Sequence, residues 1–386
     1  MDGTARQAGM REGGYMDRTV RLVVANALPS LFAVAALVSV PISAQAQNAL
    51  SQLAASLAPG SWQELVTTNI AVLNQNGTDG NIIPYGADAA WDQNSRQLLF
   101  VGNDHIDSIA SEAERFVIYS ADTNSWRNMP PPPWSAAGVT DHGYFEHAID
   151  ASRGVMYRRA GKSAKTFGTF NVATETWSST AADSLLNNGT AACCSGADYF
   201  PELNGLVHAQ GGEVGGGLLR LLDPRTGVWS TIAQMPTMTF GTFTYAAYNP
   251  VMKVLLFGQN AVSFKLAKDK TVQSIPLPPF SFYDGSGFLA TLTADPVSGE
   301  YLSLSATSRQ FYSFDVSKNA WKVLASTNMP DLSNHSVIAE AVPNYGVILF
   351  VACQARSCKM FVYRHAAGTG QPVTPVPAPP SQLKAN

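Results

Sequence analysis

An all-β chain folded as a ring of repeated antiparallel sheets is the class this sequence predicts, and three observations predict it. The composition is 46% hydrophobic but only 14% charged, with 31 Gly, 23 Pro and 7 Trp; that balance suits turn-rich sheets better than amphipathic helices. A hairpin-like segment occurs six times, and tryptophan recurs about every 50 residues at Trp126, Trp177 and Trp229. Helical periodicity is scarce after residue 60.

In chain order, residues 1–46 read as an N-terminal extension and signal peptide. Arg18 and Arg21 precede and flank the apolar run LVVANALPSLFAVAALVSV, and Ala44-Gln45-Ala46 is the small-residue pattern that a signal peptidase cleaves. Asn26 and Pro29 interrupt the run, which favours cleavage over an uncleaved anchor. The mature chain is therefore expected to begin near Gln47. It would be secreted or periplasmic, with no membrane segment left, in a compartment where disulfides persist.

Residues 47–365 hold the repeat. AAWDQNSRQLLFV, HAIDASRGVMYRR, DYFPELNGLVHA, AAYNPVMKVLLFG, LTADPVSGEYLSL and AEAVPNYGVILFV each read as a strand, a turn on Asp, Asn, Pro or Gly, and a second strand. A second hairpin follows, ending at a tryptophan in IYSADTNSW, FNVATETW, LLDPRTGVW and SFDVSKNAW, while one unit has FKLAKDKTVQSIP instead. Met129-Pro130, Met235-Pro236 and Met329-Pro330 come next, and proline stops a strand because it cannot donate to the ladder. Two hairpins per unit make four antiparallel strands, so the prediction is a six-bladed β-propeller.

The last unit supplies three strands only. GSWQELVTT, with Trp62 placed as the other tryptophans are, is expected to add the fourth and so close the ring without an open sheet edge. Residues 366–386 read as a Pro-rich tail of extended character.

Gly211-Gly212 after a second strand, Val101-Gly102 and Phe257-Gly258 at the same point, and the tryptophan near the start of the fourth strand resemble kelch repeats and the galactose-oxidase-like propellers built from them. The resemblance spans about residues 60–365, with the double glycine complete in one unit. It implies a ligand face where loops lead into the innermost strands.

A net charge of −3 gives no reason to expect nucleic acid as partner. Function is sought where one copy departs from the others. Three residues before the first turn the copies read Ala89, His147, Asp198, Ala246, Leu292 and Glu340, and further upstream Pro84, His142, Cys193, Gly241, Gly287 and His335. Tyr144, Glu146, Tyr199, Tyr283 and Asp284 crowd the same loops. Rings stack on sugar faces and carboxylates bind hydroxyls, so a glycan or small polar ligand at the channel mouth is expected, with no cofactor required and the chain a monomer.

Two other readings stay open. A metal-dependent oxidase, lyase or hydrolase could use His142, His147, Asp198, Glu340 and His335 with copper or zinc. The copper site implied by the galactose-oxidase-like resemblance needs two tyrosines, two histidines and a Cys–Tyr crosslink. No set here matches it; Tyr144 with His142 or His147 is the nearest approach. A protein-interaction scaffold is the third reading. Adjacent Cys193 and Cys194 are expected either as a vicinal disulfide or as packed thiols, and Cys353 with Cys358 as a staple across a short hairpin.

Overall fold

The computed structural model describes residues 48–74, 80–103, 114–135, 142–161, 164–185, 194–212, 216–239, 241–285 and 287–368, all within the unit Ala46–Asn386. The expected export signal, Cys193 and most of the Pro-rich tail lie outside these residues.

The chain enters through helix α1 (Ala49–Ser56), capped by the Asn48 side chain, which accepts from Ser51 N–H at 2.8 Å. Strand β1 (Ser61–Glu64) follows. Blade 1 is then β2 (Ala90–Asp92), β3 (Gln97–Gly102), β4 (Arg115–Ser120) and β5 (Ser125–Met129). Blade 2 is β6 (His147–Asp150), β7 (Val155–Arg159), β8 (Phe167–Asn171) and β9 (Thr176–Ser179). Blade 3 is β10 (Gly196–Phe200), β11 (Gly205–Gln210), β12 (Gly217–Asp223) and β13 (Val228–Met235). Blade 4 is β14 (Tyr245–Asn249), β15 (Val254–Gln259), β16 (Val262–Ala267) and β17 (Val272–Ser274). Blade 5 is β18 (Thr293–Ala294), β19 (Tyr301–Leu304), β20 (Phe311–Asp315) and β21 (Ala320–Val323). Blade 6 is β22 (Ser336–Val342), β23 (Val347–Gln354) and β24 (Ser357–Arg364), with β1 as its outermost strand.

The six innermost strands, β2, β6, β10, β14, β18 and β22, each touch the next, and β22 touches β2, so the ring is closed. Each sheet is covered on both faces by its neighbours. That is why the second strands read as unbroken apolar runs: LLFVG, VLLFGQ and VILFVACQ are buried almost throughout. The outermost strands TWSS and AWKV are largely exposed, whereas SWQE buries Ser61 and Trp62 and exposes Gln63 and Glu64.

In five blades the second residue of the outermost strand is the repeating tryptophan: Trp62, Trp126, Trp177, Trp229 and Trp321. Several pack back onto the preceding blade, Trp177 on Phe116 at 5.3 Å, Trp229 on Phe167 at 6.1 Å and Trp62 on Phe311 at 5.2 Å. The expected closure is present: β1 pairs antiparallel with β24, Trp62 opposite Tyr363. Arg364 reinforces it by donating to the carbonyls of Ala54 and Leu57, the orphan acceptors at the end of α1.

The glycines after the second strands are explained by close backbone approach. A Cβ on Gly211 would strike the Thr239 carbonyl, and one on Gly258 the Val262 carbonyl oxygen. Met129 and Met235 end β5 and β13, whereas Met329-Pro330 lies in the loop beyond β21. The staple is formed as read: Cys353 and Cys358 face each other across β23 and β24 and are disulfide-bonded.

Candidate functional site

The residues three before the turn, Ala89, His147, Asp198, Ala246, Leu292 and Glu340, all line one cavity of about 500 Å³ to which all six blades contribute. Its rim comes from the turns that follow these strands, with Gln93, Ser152, Asn204, Pro250 and Pro343. Trp91, Tyr199 and Tyr248 line it as well, and Thr293 contributes from blade 5.

Three carboxyl groups face this space, each oriented by a neighbouring blade. Asp88, buried in blade 1, lies 2.9 Å from His147 Nδ1 of blade 2, while Nε2 of that ring lies 3.1 Å from the Val101 nitrogen and 3.0 Å from its carbonyl oxygen. His147 thus bridges Asp88 and the Val101 backbone. Burial, and then the charge of Arg158, hold its pKa well below the ordinary value. Asp198, half-buried in blade 3, accepts from Tyr248 N–H of blade 4 at 2.6 Å and from Tyr199 N–H at 2.7 Å. Glu340, half-buried in blade 6, is approached by the Trp91 N–H of blade 1.

Burial raises all three carboxyls. Asp88 lies well above the carboxylate range through burial and then the charges of Glu340 and Asp198; Glu340 does so through burial and then Asp198. Burial pushes Asp198 up to about 7 against its two backbone donors. An acid whose folded pKa is raised holds its proton longer than the unfolded chain does, so the stability it contributes is present at low pH and declines as pH rises from about 4 to about 7. The stability of wild type minus that of Asp198→Asn should fall across this window and be flat above it, measured by urea midpoints at stepped pH. A flat difference throughout would show that Asp198 titrates in the folded protein as it does in the unfolded chain.

The remaining predicted residues divide into two other places. At the opposite end, where loops lead into the innermost strands, Tyr85, His142, Tyr144, Phe243 and Tyr283 stack on one another: Tyr85 on His142 at 4.6 Å, His142 on Tyr144 at 5.3 Å and Phe243 on Tyr283 at 4.0 Å. His142 Nδ1 lies 2.8 Å from the Asn103 carbonyl. Backbone bonds tie these loops together, Tyr144 N–H to Tyr85 at 2.9 Å and Tyr85 N–H to Gly287 at 3.2 Å. Cys194, buried and disulfide-bonded, accepts from Thr244 N–H at 2.7 Å. Asp284 is exposed, and His335 Nδ1 lies 2.8 Å from the Ser333 carbonyl. None of these residues lines the axial cavity.

Glu146 is elsewhere again. Adjacent to His147, it projects to the other side of the strand and sits fully buried against Arg158 at 2.5 Å and Arg159 at 3.4 Å, accepting also from Ser195 N–H at 3.1 Å. Glu114 joins the cluster, 3.4 Å from Arg158 and bonded by the Trp134 indole N–H. Sequence reasoning passed over Asp88, Trp91, Tyr248 and Thr293. Asp88 stands one position before Ala89, so a column aligned to a single residue misses it, although GADAA puts an acid into an otherwise small-residue segment.

The donor set for copper is not assembled. Both His147 nitrogens are engaged, the described cysteines are all in disulfides, and among the described residues no group of three or more His, Cys, Asp or Glu is arranged to hold a metal ion. No protein-family model matches the chain, and no curated protein matches it in sequence. Solved structures similar to it include a protein of unknown function from Bacteroides thetaiotaomicron, 13% identical, covering 78% of this chain and 75% of that one with a TM-score of 0.51. A fungal alcohol oxidase of the AA5 family in complex with copper is 11% identical, covering 82% and 79% with a TM-score of 0.49. A nidogen/laminin complex is 8% identical, covering 63% and 80% with a TM-score of 0.44. At such identity the Bacteroides likeness shows the fold and nothing further.

Proposed function

We propose that this chain is an exported binding propeller whose axial cavity holds a small polar ligand, a glycan unit included. The observation that carries the reading is a cavity of about 500 Å³ in which groups from all six blades converge, with the carboxyls of Asp88, Asp198 and Glu340 among rings of Trp91, Tyr199 and Tyr248. Small-molecule sites are commonly about 300–1,000 Å³, mainly apolar and furnished with a few placed polar groups. The opposite end supports the reading less well, because its rings are spent on one another. The Cys353–Cys358 bridge supports export, since structural disulfides persist in oxidising compartments.

The test is ligand-observed NMR of the purified chain against a panel of mono- and disaccharides, polyols and amines. Asp198→Asn should weaken binding by about tenfold or more, the equivalent of a hydrogen bond to a charged group. Asp284→Ala, at the other end, should leave it unchanged. The reverse pattern would place the ligand among the aromatic loops instead.

A further inference from the structure

We infer that the group bound in the axial cavity is a small organic cation carrying an ammonium head, a conclusion that rests on the reading of the cavity as a ligand site. Two independent features lead there. The first is charge: Asp88, Asp198 and Glu340 reach the cavity from blades 1, 3 and 6, while its described lining contains neither lysine nor arginine; Asp150 beside them is paired with Arg153. An anion would be repelled. A neutral sugar would donate hydrogen bonds to the carboxyls but leave their mutual repulsion uncompensated.

The second feature is Thr293, which lines the same cavity yet is only 5% exposed. Among the described residues its hydroxyl makes no hydrogen bond, whereas nearby Thr291 accepts from the Leu304 N–H and Ser303 donates to the Thr291 carbonyl. The Thr293 oxygen keeps access to the cavity space, so it offers an acceptor to a donor group arriving there. An ammonium group has three N–H donors and no acceptor. It can satisfy two carboxylates and the Thr293 oxygen at once.

The cavity size separates an organic cation from a bare ion. About 500 Å³ is far more than a dehydrated metal needs, and the rings of Trp91, Tyr199 and Tyr248 suit the carbon body of an amine and its charge. The groups facing the carboxyls set the pH response. His147 and Arg158 lie beside Asp88, Asp150 is near Tyr199, and Glu202 accepts from Tyr248 Oη at 2.6 Å. Cation binding must displace the proton held on the cluster, so affinity should fall by about tenfold per pH unit below about 7 for one linked proton.

The experiment is titration calorimetry of the purified chain with ethanolamine, putrescine, choline and glucosamine, each set beside its neutral isostere, and with calcium and magnesium chloride. Expected are binding of amines over isosteres, proton release on binding, and loss of at least about tenfold in Glu340→Gln and a smaller loss in Thr293→Val. Thermal melts of both variants check that the fold is kept. Isosteres binding as tightly as amines would overturn the cation but leave the pocket intact. Metal chlorides alone binding would replace the organic cation by an ion, and silence from every probe up to about 10 mM would overturn the cavity as a ligand site altogether.

Discussion

Trp62→Ala is expected to cost about 3–5 kcal/mol and to detach the first strand from the last blade. Trp62 is 2% exposed and meets Phe350 at 4.5 Å, Tyr363 at 4.7 Å and Phe311 of the preceding blade at 5.2 Å. It therefore holds both the β1–β24 pairing and the contact between blades 5 and 6. Among the described residues its indole N–H has no partner, so the ring and not the donor does the work, and Trp62→Phe should cost less than about 1.5 kcal/mol. Removing the ring leaves β24 as an exposed edge, which promotes aggregation. Denaturant midpoints together with limited proteolysis near residues 57–65 report both effects. A loss under about 1 kcal/mol with unchanged cleavage would mean that the ring is closed by something other than this strand.

The second large effect is expected at Glu146. Arg158 and Arg159 are fully buried on β7, inside a strand that is otherwise apolar, and Glu146 is the carboxylate bonded to both. Removing one partner of a buried pair leaves an uncompensated charge, so Glu146→Ala should destabilise by about 3–5 kcal/mol. Glu146→Gln keeps the acceptor oxygen but not the charge and should fall between. Ligand binding in the surviving folded fraction should be unaltered, because Glu146 does not line the cavity. If stability is kept and binding is lost, Glu146 belongs to the site after all.

Glu146 and His147 also show how far the sequence could be read. His147 departs from the alanines and leucine of three other copies, Glu146 was named only from its loop, and both were candidates for ligand contact. Neighbours on a strand point to opposite sides, so one reached the axial cavity and the other a buried ion cluster. The column Ala89, His147, Asp198, Ala246, Leu292 and Glu340 was legible because every copy repeats the same strand and turn. The upstream residues were not, because the loops carrying His142, Tyr144 and His335 do not repeat: His142 meets the Asn103 carbonyl of blade 1, Tyr144 packs on His142, and His335 turns back on Ser333 of its own loop.

By itself the sequence determined the six blades, the closing strand with Trp62 and the Cys353–Cys358 staple, because each rests on local pattern repeated at a regular interval or on partners only a few residues apart. The tertiary structure alone decided at which end the described axial cavity lies, that Asp88 joins Asp198 and Glu340, and that Thr293 stands beside them. These groups come from four blades and are far apart in the chain. Their shared burial, and the raised pKa values that follow from it, exist only once the ring has closed and brought them around one small volume of low dielectric.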